Sequence, residues 1–251
     1  MQAETSQTAS NTAHHLYKIF NFEFNPIIHW FGLDFNIVIM IMIWVVMLIL
    51  IIISWYASRR INWIPKGWQN ILEYAVEFIE NMVKGSLGQS GVKYTYFFGS
   101  LFLFILVSNM MGLIPVPGFV SPTRDVSVTL SLAVLWVFWA QYISIRENGL
   151  KGHLKHYFEP FAPFVLIHLM ELVVRPMTLA LRLFGNIYAG ELLLETLTHN
   201  FPVLVPGIWI LVSIAIGGIQ AFIFTVLTVS YTGLSVSHED KSHAGAGEHS
   251  H

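Results

Sequence analysis

The stretch LRLFGNIYAGE, Leu181–Glu191, sets an arginine and a glutamate inside an apolar run extending over residues 161–199. An arginine at the centre of a membrane helix costs about 2.5 to 3.5 kcal/mol on insertion scales, so it must face protein, water or a counter-charge. How this run is read decides the fold. Either it is a buried helix of a soluble domain, or it crosses a bilayer and carries its charge for a purpose.

Composition settles that choice. Of 251 residues, 55% are hydrophobic and 11% charged, with 19 Phe, 8 Trp and 9 Met, and the mean hydropathy is +0.61. Soluble domains carry about twice that share of charge. The formal net charge of -2 gives no nucleic-acid footprint. With no cysteine, disulfides and thiolate metal sites are excluded. No GxxxxGK[ST] phosphate loop occurs, and no cofactor is expected.

Four more apolar runs accompany the first. Together they lie at residues 37–57, 95–114, 126–145, 161–199 and 203–236, each long enough for a core that takes about 20 helical residues. The expected fold is an all-α membrane protein, a single integral membrane domain over residues 1–251 with five transmembrane helices. Residues 65–84 alternate Ile71, Leu72, Val76, Ile79 and Val83 with Glu73, Glu77, Glu80 and Lys84 at helical spacing, which suits an interfacial amphipathic helix.

The polar residues 1–30 lack the basic start of a cleaved signal peptide, since the first basic residue is Lys18. Basic residues cluster after the first run (Arg59, Arg60, Lys66, Lys84, Lys93) and after the third (Arg146, Lys151, Lys155). The loop between the second and third runs holds only Arg124. By the positive-inside rule the N-terminus is outside, and the histidine-rich tail 237–251 is a disordered inner segment. Asp125 reads as the cap of the third helix.

The last two runs each exceed 30 residues, or roughly 50 Å at 1.5 Å per residue, against a core of about 30 Å. They are expected to form a long, strongly tilted hairpin turning at 199–202, with Pro176 and Gly217-Gly218 as its points of weakness. At 100° per residue, His168, Glu171, Arg175, Thr178, Arg182 and Asn186 form one stripe, and Glu191 and Glu195 fall near the opposite face. Counted from the turn, Arg182 lies at the depth of Gln220, and Glu191 near that of Ser213.

A guanidinium stays protonated at any physiological pH, so Arg182 can act only as a fixed positive charge. No carboxylate of this chain shares its level on the stripe, which points to an acidic partner on another subunit. Buried glutamates, in contrast, can take up and release protons.

These residues carry a family resemblance. RPMTLALRLFGNIYAGE (Arg175–Glu191) followed by IQAFIFTVLTVSY (Ile219–Tyr231), with SNMMGLIP (Ser108–Pro115) and SPTRDVSVTLSLA (Ser121–Ala133) upstream in the family's order, resembles the a subunit of F-type ATP synthases. The resemblance implies a non-catalytic stator subunit whose hairpin wraps a ring of c subunits, with peripheral-stalk b subunits and the rest of the complex as further partners. It implies that Arg182 is the essential arginine, that Asn186, Glu191 and Gln220 belong to a half-channel open to the outside, and that Glu171 and His168 line the inner one. Glu195 shares the outer role by its position one turn beyond Glu191. Some members carry an ionisable residue where Ser213 stands, an acidic one at Gly112 and a carboxylate at His168. A bacterial inner membrane is the expected location. The competing readings are a solute transporter, disfavoured by the lack of an internal repeat, and a structural anchor, for which buried charge would be needless.

Overall fold

The computed structural model describes residues 27–30, 33–59, 68–114, 120–158, 164–200 and 204–237. It opens on a short antiparallel pair, β1 (Ile27–Trp30) and β2 (Leu33–Asn36), in register Ile27 to Asn36. The described elements after it are all helical. The helices are α1 (Ile37–Arg59), α2 (Trp68–Leu87), α3 (Thr95–Met111), α4 (Val126–Phe158), α5 (Phe164–Asn200) and α6 (Leu204–Ser237).

Helix α1 begins where the Asn36 side chain accepts the backbone N–H groups of Val38 and Ile39, at 3.1 and 3.4 Å. Such a cap satisfies donors that the first turn leaves without helical partners. Thereafter the helix is apolar all round, the mark of a lipid-facing span. Among its described side chains only Met42 and Val46 are buried, packing on Met111 of α3, while Trp44, Leu48, Ile51 and Trp55 stand exposed.

Helix α2 is amphipathic, as its spacing predicts. Ile79, Val83 and Leu87 are buried and Tyr74, Glu73 and Glu77 exposed. Lys84 pairs with Glu80 at 2.6 Å across one turn. Gly88, at φ 69°, then takes the left-handed conformation that turns the chain into a 3₁₀ segment, Gln89–Tyr94, leading to α3. The end of α4 is tied to this corner, where Glu147 accepts Tyr94 Oη at 2.8 Å and pairs with Lys93 at 2.6 Å.

The core sits between α3, α4, α5 and α6, with the buried face of α2 closing one end. Phe98, Ile105, Trp136, Ile143, Leu183 and Phe224 are among its fully or nearly fully buried members. Trp136 donates its indole N–H to the Thr228 carbonyl and Thr232 Oγ1 on α6, at 3.1 and 3.2 Å. Four described segments are long and apolar enough to cross a membrane: Ile37–Tyr56, Gln89–Met111, Val126–Glu147 and Leu204–Ser235. Helix α5, expected as a fifth crossing, is 37 residues long, but Glu171, Arg175, Arg182, Glu191 and Glu195 lower its apolar content and keep it out of that set. It packs on α4 and lies against the 34-residue α6, both unbroken helices despite Pro176 and Gly217-Gly218.

Helix α2 runs to Leu87 rather than 84, α3 ends at Met111 rather than 114, and the largest boundary difference from the sequence expectation is in α4. Helix α4 continues past residue 145 to Phe158, with a break at Gly149, whose φ is 73°. Hydropathy registers where a chain leaves an apolar environment, and the helix carries on beyond that point. The turn 201–203, the tail after Ser237 and the start before Ile27 lie outside the described residues.

Helix α6 meets α2 at a glycine. A Cβ on Gly233 would lie 2.5 Å from the Ser86 carbonyl oxygen, a backbone atom held by its own helix. Gly233→Ala is therefore expected to force the helices apart at a cost of about 1–3 kcal/mol. The readout is a several-fold fall in the amount of chain recovered folded from membranes.

Candidate functional site

The buried face of α5 is made by Pro176, Leu179, Ala180, Leu183 and Ile187. Their spacing of three and four residues is that of one helical stripe, and it leaves the flanks free to present charge. On one flank Arg182 is exposed, among exposed Met177, Thr178 and Leu181. The structure gives this guanidinium no hydrogen bond, ion pair or ring contact among the described residues. It is a cation at mid-helix on a largely apolar surface.

Toward the C-terminal third of α5 the chemistry changes. A cavity of about 160 Å³ opens between α3, α5 and α6, lined in part by Asn109, Asn186, Glu191, Trp209 and Ser213. Asn186, Glu191 and Ser213, named from sequence on two different helices, are thus brought together. The hairpin is held at this level by Trp209, which donates to the Gly190 carbonyl at 3.1 Å. Ser213 Oγ is buried with no protein partner among the described residues. The wall is mainly apolar, and the polar groups of Asn109, Asn186, Glu191 and Ser213 on it suit a few water molecules, each needing two to four polar partners.

Glu191 is held from the far side of the cavity. Its Oε1 accepts the Ser121 backbone N–H at 3.2 Å, and its Oε2 accepts Arg124 at 3.3 Å. The carboxylate also occupies the space beside Gly112, where a Cβ would collide with Oε1 and approach Ser121 Cβ to 2.8 Å. An acidic side chain at 112 and one at 191 would compete for the same volume, so glycine at the first position accompanies glutamate at the second.

The segment that carries Ser121 and Arg124 is not the surface loop its position between two spans suggests. Ser121, Pro122 and Thr123 are buried, packed between α3 and α5. Ser121 Oγ donates to the Ser108 carbonyl at 2.8 Å, and Thr123 Oγ1 donates to Asn109 Oδ1 at 2.9 Å. The Asn109 amide in turn donates to the Gly217 carbonyl of α6 at 3.0 Å. These bonds satisfy polar groups that would each be costly to bury alone. Asp125 then caps α4, accepting the Ser127 N–H at 2.7 Å.

The other named residues lie apart. Glu195 is exposed and outside the cavity lining. Gln220 is buried on α6, with an amide nitrogen that has no partner among the described residues. Glu171 is partly exposed and bonds Arg175 one turn on, and that guanidinium sits 4.9 Å from the Tyr231 ring centre. The His168 side chain lies outside the described residues. Groups of three or more His, Asp or Glu able to hold a metal ion are absent among the described residues.

The family model for the ATP synthase A chain matches residues 40–233. The chain belongs to the ATP synthase A chain family. An ATP synthase subunit a from Desulforamulus reducens is 36% identical over 231 residues, covering 88% of this chain and 87% of that one. The subunit a of Moorella thermoacetica is 37% identical over 189 residues, 75% of this chain and 85% of its own. That of Gloeobacter violaceus is 35% identical over 213 residues, 81% and 85% respectively. As a member of the A chain family, this is an integral, multi-pass membrane protein.

Within this A chain, the residues that sequence reasoning passed over are Asn109, Ser121, Thr123 and Arg124. Both stretches that hold them, SNMMGLIP and SPTRDVSVTLSLA, stand out as motifs. A serine and a threonine flanking a proline in a connection read as turn residues, so their burial left no sign in the linear pattern.

Proposed function

We propose that this chain is the subunit a of an F-type ATP synthase, a non-catalytic stator that couples proton flow to rotation of a c-subunit ring. The observation that carries this reading is the exposed Arg182, without a partner among the described residues, at the middle of a helix longer than the membrane core is thick. A guanidinium facing lipid would be expensive, and the described residues offer it no counter-charge. A carboxylate passing on a neighbouring ring supplies one, and the exposed apolar residues around Arg182 supply a surface for the ring to slide against.

Two offset half-channels follow from the distribution of polar groups. The outer one is the cavity of Asn186, Glu191 and Ser213, with Gln220 deeper and Glu195 nearer the mouth. The inner one runs along Glu171 and His168. A proton entering from outside neutralises a ring carboxylate, is carried round through lipid, and leaves on the inner side as that carboxylate nears Arg182. Because arginine cannot deprotonate, it blocks direct leakage between the two channels. Each charge moved is worth about 2.3 kcal/mol per 100 mV, which biases rotation for ATP synthesis or, in reverse, is worked against in ATP-driven pumping.

In this reading α5 and α6 slant along the ring, the N-terminus is outside, the C-terminus is inside a bacterial inner membrane, and b subunits brace the stator. Purification under mild conditions is expected to bring down the c ring and the b subunits with this chain, identified by mass spectrometry. Recovery of the chain alone, active in solute uptake, would overturn the assignment. The coupling step is tested at Arg182.

A further inference from the structure

We propose that Arg124 is a positioning residue for proton transfer through the outer cavity, in either direction of flow: with the Ser121 N–H it clamps the Glu191 carboxylate against that cavity. The inference rests on the reading of Glu191 as a proton acceptor and adds to it the part that holds the acceptor in place.

The geometry is specific. Arg124 and Glu191 are 67 positions apart in sequence, yet their side chains are only 21% and 11% exposed and meet at 3.3 Å. Each carboxylate oxygen accepts one bond from the clamp, Oε1 from Ser121 and Oε2 from Arg124. An ionised carboxylate has about four acceptor positions, so the two that remain are open to water or a proton in the cavity.

The clamp is itself braced. Arg124 stacks over the Tyr188 ring at 5.7 Å, one turn before Glu191 on the same helix. Ser121 is fixed by the bond its hydroxyl donates to the Ser108 carbonyl. A glutamate has three side-chain torsions, and without these partners its carboxyl group would sample positions away from the cavity. Holding a proton-transferring group within hydrogen-bond reach of its donor is what makes the transfer fast. A structural ion pair buried for stability alone would gain nothing from facing a cavity that also holds Asn186 and Ser213, and such pairs are weak stabilisers in any case.

The test uses the complete ATP synthase in everted membrane vesicles, with ATP-driven acidification normalised to the amount of assembled chain. Arg124→Gln is expected to slow pumping about tenfold, and Arg124→Lys, which restores a cation, to keep at least half the rate. Guanidinium ion at millimolar concentration is expected to recover part of the loss in Arg124→Ala. A packing role would be filled as well by glutamine as by lysine and would ignore the added ion. Gly112→Ala gives a second route, since its methyl group displaces the Glu191 carboxylate without altering any charge. It is expected to slow pumping several-fold, and it decides the matter if Arg124→Gln fails to assemble. Wild-type pumping by assembled Arg124→Gln, or by Gly112→Ala, would overturn the clamp. The proposed function would stand or fall separately, on Arg182.

Discussion

Arg182→Ala is expected to abolish ATP-driven proton pumping, to below about a hundredth of the wild-type rate, while the chain still assembles with its partners. The two halves of that expectation come from one observation. The side chain is exposed and bonds to nothing in this fold among the described residues, so its truncation leaves no cavity and no orphaned partner. Removing a charge from mid-helix lowers the cost of membrane insertion by about 2.5 to 3.5 kcal/mol, which favours the folded chain if anything. Function is affected differently. In the proposed mechanism the alanine removes the fixed charge that discharges a ring carboxylate and bars protons from crossing between the half-channels. Pumping is read from the quenching of a pH-sensitive dye in everted vesicles, with ATP hydrolysis followed in parallel. Hydrolysis without acidification is the expected signature of a motor that turns without coupling. Acidification at a normal rate would remove the mechanism.

That Arg182 has no carboxylate at its own level on its own stripe was legible in the sequence, because helical periodicity places every carboxylate of α5 either turns away or on another face. The hairpin was legible for a similar reason. Run length and composition are local properties, and a run of more than 30 apolar residues with no polar break leaves few alternatives. The amphipathic α2 followed from spacing alone. Other features depend on contacts between distant segments and leave no local trace. Arg124 looked like a lone surface charge in a short loop, and its partner is supplied by a helix that begins forty residues later. Ser121 and Thr123 looked like turn residues, yet bonds from α3 make their burial tolerable. The extension of α4 to Phe158 was missed because Arg146, Glu147 and Lys151 end the hydropathy signal, whereas charged residues are compatible with helix.

Glu191→Gln is expected to reduce proton uptake from the outer side on the order of 100-fold, in line with the loss of a positioned acid-base group. The substitution keeps the shape of the side chain and removes its ability to gain and lose a proton. It also disturbs the clamp, because both partners of the carboxylate are donors, the Ser121 N–H and the Arg124 guanidinium. An amide offers one oxygen and one NH₂ group, so one of the two would face a donor with a donor. Glu195→Gln provides the contrast. Glu195 lies one turn further along the same face, but it is exposed and does not line the cavity, so its replacement is expected to change uptake less than about twofold. The comparison separates proximity in sequence from position in the cavity, since the two glutamates differ in burial and in partners while sharing charge, helix and face. Uptake is read as the initial rate of acidification in vesicles of defined orientation, at fixed membrane potential. A normal rate in Glu191→Gln with a collapse in Glu195→Gln would transfer the acceptor to the mouth of the channel, and the cavity between α3, α5 and α6 would then be a feature of packing alone.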